Sequence, residues 1–231
     1  MRNKAGKFVI IEGIDGSGKA TQTEMLFDRL KKEGRKVKKI DFPRYYDNFF
    51  GKLIGECLKG EHGDFLTLDP YVTSVLYACD RFESSGEILK WIKQGYIVLS
   101  DRYVSSNFIH QGGKLKGKKE RLKYLKWLEK MEYEVFKIPK PDLIIYLDVS
   151  LDIARKLAGN KTEKKQYLGG KKDVYEESAS HLNNAKKSAE DLVKSGAVQR
   201  IDCVKNGKIL SKKEIAQMIW EAVGLTEVNS Y

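Results

Sequence analysis

The sequence predicts an α/β fold, a doubly wound five-stranded parallel sheet with helices on both faces. Short runs of β-branched and apolar residues alternate with segments of helical periodicity, as expected for strands that are buried on both faces. The first run begins at Phe8 and leads into a glycine-rich turn at 13–19, which an amphipathic segment follows directly. We therefore expect a ligand site at the carboxyl ends of the strands.

The turn from Gly13 to Lys19 has the GxxxxGK spacing of a phosphate-binding loop. Glycines let backbone N–H groups converge on phosphate oxygens, the next helix presents its positive end, and the lysine reaches the outer phosphates. Ala20 stands where a serine or threonine hydroxyl normally meets magnesium, and Thr21 lies one residue later. A glycine-rich turn with a chance lysine is the alternative, but the strand before it and the helix after it favour the phosphate loop.

Composition limits the class of protein. The 231 residues suffice for a buried core, and we expect one domain over 1–231. The net charge of +11 favours an anionic partner without distinguishing nucleic acid, lipid and phosphorylated small molecules. Three widely spaced cysteines indicate neither a disulfide framework nor a zinc site, so the cytoplasm is the expected compartment. Since no apolar run approaches the roughly 18 residues that span a bilayer, no membrane is expected.

The other elements are assigned from periodicity and from capping and turn residues. Strands are expected at 8–12, 37–42, 96–99, 142–148 and 198–203. Helices are expected at 19–33, 69–84, 87–93, from about 120 to 137, and at 150–157, 173–195 and 211–223. The helix that ends near 137 is expected to turn three leucines, Met131 or Glu132, and Val135 inward.

Charged residues follow two of the predicted strands. Arg44 comes after strand 37–42, and Asp101 and Arg102 come after strand 96–99. At this edge of the sheet, a carboxylate beside the phosphate loop can hold metal-bound water, and an arginine can clamp a second anion. The pattern leaves open a generic acid–base pair without a function.

Helix 69–84 is predicted to have two distinct faces. Its apolar stripe consists of Val72, Val75, Leu76, Cys79 and Phe82. A different face carries Thr73, Tyr77 and Arg81 at a spacing of four residues. Tyrosine and arginine one turn apart can stack on a planar base and hydrogen-bond its edge. On pattern alone, a half-buried tyrosine and a surface arginine remain the simpler interpretation.

The segment 160–172 is rich in lysine and glycine and poor in apolar residues. Its lysines are Lys161, Lys164, Lys165, Lys171 and Lys172. This composition predicts a short lid that closes on anions, and a solvated linker is the alternative.

Six motifs in order resemble those of the thymidylate kinase family, over about residues 7–225. They are EGIDGSGK at 12–19, FPRY at 42–45, GEHGD at 60–64, LYACDRFE at 76–83, DRYVSSN at 101–107 and KPDLIIYLDV at 140–149. The resemblance implies a P-loop NTPase fold of the nucleoside monophosphate kinase type. It also implies transfer of the γ-phosphate of ATP to thymidine monophosphate, with Mg²⁺ as cofactor, in a homodimer. Nucleic acid is not the expected partner.

Carried over by position, the resemblance implies several groups of site residues. ATP would contact Gly13, Gly16, Ser17, Gly18, Lys19, Ala20 and Thr21. Thymidine monophosphate would contact Asp15, Phe42, Arg44, Tyr77, Arg81, Arg102, Asn107, His110 and Gln111. The expected catalytic residues are Lys19, Asp15, Arg102, Lys171 and Lys172, and the expected metal-binding residues are Asp15 and Asp101.

Two departures from the family pattern affect the expected mechanism. Some members place an arginine in the phosphate loop, but Ile14 and Ser17 leave none here, so the lid lysines would supply the charge. His110 stands where many members have a tyrosine that is associated with rejecting a ribose 2′-hydroxyl. Packing beneath the base pocket is the other interpretation of this histidine.

Two alternative functions remain at this point. A deoxynucleoside kinase has a similar loop and Asp-Arg motif, but it would carry a carboxylate base near the acceptor 5′-hydroxyl. Arg44 in that region favours an acceptor that is already phosphorylated. The other alternative is a basic nucleic-acid-binding protein that uses a nucleotide as a switch, whose affinity for DNA would fall steeply with salt.

Overall fold

A five-stranded parallel sheet forms the centre of the computed structural model, which describes residues 6–65, 67–159 and 179–224. The strands are β1 Lys7–Glu12, β2 Val37–Asp41, β3 Ile97–Asp101, β4 Leu143–Asp148 and β5 Gln199–Asp202. Their order is β2-β3-β1-β4-β5. The predicted fold class is therefore confirmed, with each strand within a few residues of its expected position.

Helices surround the sheet. They are α1 Lys19–Lys32, α2 Phe49–Leu58, α3 Pro70–Lys93, α4 Val104–His110, α5 Lys118–Glu129, α6 Leu151–Gly159, α7 Ala179–Lys194 and α8 Lys212–Val223. A 3₁₀ turn lies at Gly112–Lys114, a π-helical segment at Lys130–Val135, and a small hairpin pairs β6 Val204–Lys205 with β7 Lys208–Ile209. The predicted lid at 160–172 lies outside the described residues.

Alternate residues of β1 enter two separate cores, because side chains of a strand point to opposite faces of the sheet. Phe8 and Ile10 pack among residues of α3, α4, α5 and α7. Val9 and Ile11 pack among residues of α1 and α8 on the other face. Both faces of the sheet are thus covered, which explains why its strands consist of nearly continuous apolar runs.

The strand register brings the site residues to one edge of the sheet. β1 lies between β3 and β4, and Ile11 pairs with Asp101 while Glu12 pairs with Tyr146. Asp101 also pairs with Asp41 at the end of β2. Because all these strands are parallel, the glycine-rich turn and the segments after β2 and β3 emerge together.

Helix α3 is one continuous helix, whereas two helices at 69–84 and 87–93 were expected. Asp69 caps it by accepting hydrogen bonds from the backbone N–H groups of Tyr71 and Val72, at 2.8 and 3.4 Å. The predicted break falls at Ser85 and Gly86. A single glycine costs only about 1 kcal/mol inside a helix, so packing on the sheet outweighs it.

Three members of the apolar stripe of α3 lie at the surface, whereas Leu76 packs against a small cluster around Ile54 and Cys79 is half-buried. Val72, Val75 and Phe82 are 59%, 39% and 52% exposed. The helix instead buries a polar face, whose members are Thr73, Ser74, Asp80, Arg81 and Ser84. The surface position that the pattern alone favoured for Arg81 is therefore wrong, because hydrogen-bond partners inside the protein satisfy these polar groups.

The helix expected to end near 137 is regular only to Glu129. It continues as the π-helical segment, which changes the direction in which side chains point. Met131 and Glu132 are both buried as a result, and Val135 is 64% exposed rather than inward as predicted.

Candidate active site

The glycine-rich turn after β1 has a backbone that only glycine readily adopts at three positions. The φ angles of Gly13, Gly16 and Gly18 are 158°, 82° and 90°. A Cβ atom added to Gly16 would lie 2.1 Å from the carbonyl oxygen of Ala154. The middle of the loop, at Gly16, therefore packs closely against α6. Gly18 leads into the first turn of α1, where free backbone N–H groups favour anions.

Lys19 lies inside this loop and is buried. Its Nζ donates hydrogen bonds to the carbonyl oxygens of Gly13 and Ile14, at 2.8 and 2.9 Å, and lies 3.9 Å from Asp15 Oδ1. Burial, followed by the charge of Arg102, lowers the pKa of Lys19 to about 8. The amine thus lies within the glycine-rich loop, at the position from which the sequence predicts that it reaches phosphates.

Arg102 connects the phosphate loop with the segment after β3. Its Nη2 donates to Asp15 Oδ1, and its backbone N–H donates to the carbonyl of Ile11 at 3.1 Å. The φ angle of Arg102 is 70°, a left-handed conformation that is uncommon for arginine. Burial lowers its pKa, but nearby carboxylates, first Asp15, outweigh this and raise it above the usual value. A permanent cation therefore lies beside the loop.

Glu12 supports this centre and was not predicted as a site residue. It is fully buried, and its Oε1 accepts from the Gly13 N–H at 3.0 Å. Its Oε2 accepts from Ser105 Oγ at 2.8 Å, and Ser106 Oγ donates at 2.9 Å to the same carboxylate. A carboxylate at the end of a buried strand was the signal in the sequence, because such a group needs several donors.

Arg44 follows β2 at the same edge and is held by exposed carboxylates. Its Nη2 lies 3.0 Å from Asp47 Oδ2, and its Nη1 lies 3.3 Å from Glu87 Oε2. Its backbone N–H donates to Asp80 Oδ2 at 3.0 Å. Ion pairs this exposed are worth about 0–1 kcal/mol, so an anionic ligand can displace them. Phe42, two residues earlier, is buried.

Arg81 and Tyr77, the predicted base contacts, lie on α3 but differ in environment. Arg81 donates from Nε and Nη2 to the buried carboxylate of Glu132, with the Nε bonds at 3.1 and 3.2 Å. Tyr77 is half-buried, and its ring centroid lies 6.1 Å from that of Phe65. The arginine is therefore fixed before any ligand binds.

Helix α4 carries the remaining predicted acceptor contacts. Asn107 Nδ2 donates to the carbonyl of Ser74 at 3.3 Å, and Gln111 directly follows α4 and is buried. His110 Nε2 lies 2.9 Å from Arg102 Nη1. His110 is therefore in polar contact with Arg102, the predicted phosphate-binding arginine.

The carboxylates at this edge fit a cation that is held mainly through water and phosphate. Asp101 Oδ1 is buried and has no hydrogen-bond partner among the described residues. Asp15 already pairs with Arg102, and Ala20 brings no hydroxyl. Within 6–65, 67–159 and 179–224, no group of three His, Cys, Asp or Glu residues could enclose a metal. Mg²⁺ commonly keeps several waters, which agrees with so sparse a donor set.

The catalytic prediction for Lys171 and Lys172 falls outside the described residues, as do the other lid lysines. In the part of the chain that the structure covers, no helix is both long and apolar enough to cross a membrane.

The strand order, the glycine-rich loop and its buried lysine define a P-loop NTPase of the nucleoside monophosphate kinase type. The thymidylate kinase family model matches residues 11–213. The chain belongs to the thymidylate kinase family, whose members phosphorylate thymidine monophosphate with ATP. The predicted family and activity are confirmed, and the deoxynucleoside kinase alternative is not favoured.

Individual relatives agree with this family. The chain is 33% identical over 172 residues to a thymidylate kinase of Mycobacterium tuberculosis, covering 74% of this chain and 78% of the relative. It is 36% identical over 173 residues to a probable thymidylate kinase of Pyrobaculum aerophilum, covering 73% and 79%. The solved structure of thymidylate kinase from Candida albicans is similar with a TM-score of 0.71 and 25% identity, over 95% and 92% of the two chains.

Proposed function

We propose that phosphoryl transfer from ATP to thymidine monophosphate occurs between the phosphate loop and Arg102. The observation that carries this proposal is the position of the Arg102 guanidinium, which contacts Asp15 of the loop with one nitrogen and His110 of α4 with another. A cation at the junction of the phosphate loop and α4 can neutralise charge on the transferring group.

The donor side consists of the loop and Lys19. The backbone N–H groups from Gly13 to Thr21 would hold the ATP phosphates, together with the positive end of α1. Lys19 would exchange its two carbonyl partners for phosphate oxygens, which are stronger acceptors because they are charged.

On the acceptor side, Arg44 and Arg102 would bind the phosphate of thymidine monophosphate. Tyr77 would stack on thymine, and Arg81 would hydrogen-bond its edge. The remaining acceptor contacts would be Asp15, Phe42, Asn107, His110 and Gln111. The half-buried ring of Tyr77 and the fixed guanidinium of Arg81 support these base contacts.

Asp15 and Asp101 would hold a Mg²⁺ ion through its water shell. When bound, the ion would neutralise negative charge on the phosphates of ATP. The unpartnered Oδ1 atom of Asp101 supports this proposal, because a buried carboxylate oxygen needs a donor such as metal-bound water.

Lys171 and Lys172 are proposed to add charge from a lid at 160–172. Support comes from the sequence alone: five lysines in the lid, and no arginine in the phosphate loop, where Ile14 and Ser17 stand. Lysine delivers charge without the bidentate geometry of arginine, so several of these residues would act together.

The enzyme is further proposed to be a homodimer in the cytoplasm. The exposed apolar stripe of α3 supports a dimer, because a continuous apolar surface favours burial against a partner. Phe82 extends this surface to Phe136, whose ring centroid lies 5.4 Å away. Free Cys57, Cys79 and Cys203 support a reducing compartment.

A coupled ADP-release assay with a series of nucleoside monophosphates and with thymidine as acceptors tests the proposed function.

A further inference from the structure

His110 and His181 lie edge to edge behind Arg102, with their rings nearly parallel. Their ring centroids are 5.5 Å apart, and the ring planes differ by 14°. His110 Nδ1 lies 3.3 Å from His181 Nε2, and His110 Nε2 lies 2.9 Å from Arg102 Nη1. The arginine directly follows β3, while the histidines lie on α4 and in the first turn of α7. A chain of polar contacts thus connects three elements.

The chemistry of arginine fixes the direction of this chain. A guanidinium group carries only donors, so His110 Nε2 must be the acceptor of the Arg102 hydrogen bond. A neutral imidazole with a free Nε2 carries its proton on Nδ1, and that N–H donates to His181. His181 Nε2 is therefore an acceptor as well. Only one tautomer of each histidine satisfies both contacts.

Burial, more than the surrounding charges, keeps the two rings neutral. His110 faces Asp15, Arg102, His181 and Lys19, and burial, which is only partly opposed by Asp15, lowers its pKa well below the usual value. His181 faces Asp15 and Lys114, and burial lowers its pKa to about 4. Near neutral pH, neither ring carries a second proton. Both Nε2 atoms therefore remain acceptors for the N–H groups that face them.

We propose that His181 is a positioning residue of the acceptor site, which acts through His110 to hold the Arg102 guanidinium in its phosphate-binding orientation. The proposal rests on the proposed role of Arg102. Nη2 of Arg102 is fixed by Asp15, while Nη1 depends on His110 and on the Ser106 hydroxyl at 3.4 Å. Without the acceptor on His181, the His110 proton can move from Nδ1 to Nε2. His110 Nε2–H and Arg102 Nη1–H would then both be donors, and the hydrogen bond between them would be lost.

Three substitutions of His181 separate this role from simple packing. In His181→Gln the side-chain oxygen reaches the position of Nε2, so an acceptor is retained, whereas in His181→Asn it ends one bond short. His181→Ala removes the acceptor altogether. We expect the Asn and Ala variants to raise KM for thymidine monophosphate about threefold to tenfold, the range of one net hydrogen bond. The Gln variant should stay near wild type, and KM for ATP should be unchanged in all three.

His62→Ala is the matched control, because His62 is exposed and forms its hydrogen bond with Glu56, at 2.9 Å, rather than with a residue of the site. It should leave both KM values unchanged. If His181→Ala does not fold, the contrast between the Gln and Asn variants decides the matter. Equal KM values for thymidine monophosphate in the Gln and Asn variants would overturn the proposal. So would variants whose only change is a fall in kcat in proportion to a fall in melting temperature.

A second readout does not depend on turnover. Nitrogen-15 NMR of the free enzyme should show His110 with an unprotonated Nε2 in the wild type and in His181→Gln, and a mixture of tautomers in His181→Ala. A protonated Nε2 in the wild type would overturn the proposed chain. The wild type is assayed first: if it does not phosphorylate thymidine monophosphate, the proposed function fails, and the NMR result still decides whether the chain exists.

Discussion

Arg81 and Glu132 form an ion pair in which the arginine side chain is 2% exposed and the glutamate is fully buried. The π-helical segment Lys130–Val135 turns the glutamate into the core, where it bonds Nε and Nη2 of the arginine. Burial lowers the pKa of Arg81, but the charge and hydrogen bonds of Glu132 outweigh it and raise the pKa above its usual value. The pair therefore fixes the orientation in which the Arg81 guanidinium would hydrogen-bond a nucleotide base.

From this pair we predict that Glu132→Gln raises KM for thymidine monophosphate about tenfold and leaves KM for ATP unchanged. The glutamine amide retains one acceptor oxygen but loses the negative charge that holds the Arg81 guanidinium in place. Glu134→Gln, an exposed position of the same segment, is the control. Steady-state kinetics with each substrate varied in turn give the result, and an unchanged acceptor KM in a folded variant would refute the role of the pair.

Lys19 gives a pH prediction. Its pKa is lowered to about 8, so the amine is mostly charged below this pH and loses its proton above it. ATP binding to the free enzyme should therefore weaken by close to an order of magnitude between about pH 7.5 and about pH 9. Calorimetric titration measures the affinity. Lys19→Arg, which stays charged, should remove most of this dependence, and an equal pH dependence in both proteins would contradict the assignment.

The metal prediction concerns Asp15 and Asp101. Replacing either by asparagine should raise the Mg²⁺ concentration for half-maximal activity severalfold, because a neutral amide holds metal-bound water less strongly. Ala20→Ser should lower that concentration or leave it unchanged. Asp28→Asn, at an exposed position of α1, serves as the control. Unaltered Mg²⁺ dependence in the double variant of Asp15 and Asp101 would show that other groups hold the metal.

The exposed stripe of α3 leads to a prediction about assembly. If the proposed dimer uses this stripe, Phe82→Glu should shift the protein to monomer, because a carboxylate would be buried without a partner in the interface. Sedimentation velocity distinguishes the two states. Ile209→Glu, an exposed apolar position on the β6–β7 hairpin, should leave the dimer intact. A wild-type monomer, or a Phe82→Glu dimer of unchanged stability, would exclude this interface.

The sequence was sufficient where local patterns determine structure. β1 and the phosphate loop were predictable, because an apolar run buried on both faces and the spacing of three glycines specify them almost without distant contacts. The buried face of α3 was not, since three residues of its predicted apolar stripe lie at the surface and its buried polar residues depend on partners far along the chain. Glu132 lies 51 residues from Arg81 in the sequence, and the periodicity of apolar residues cannot predict a pairing between such distant positions.

The motifs gave candidate site residues but not the contacts between them. Arg102 and His110 were among these candidates, yet the link to His181 joins positions 71 residues apart and became visible only in the structure. Helix α4, with its short mixed sequence VSSNFIH, gave no clear period to detect. Glu12 was assigned to a strand, but its role as the acceptor for two serines required the fold.

The acceptor preference of the enzyme tests the central claim most directly. A coupled ADP-release assay compares kcat/KM for thymidine monophosphate, deoxyuridine monophosphate, purine nucleoside monophosphates and thymidine. The face of Tyr77 and Arg81, together with the match to the thymidylate kinase family, predicts that thymidine monophosphate is the best acceptor and that deoxyuridine monophosphate is phosphorylated less well. A higher kcat/KM for a purine monophosphate or for thymidine would contradict the account.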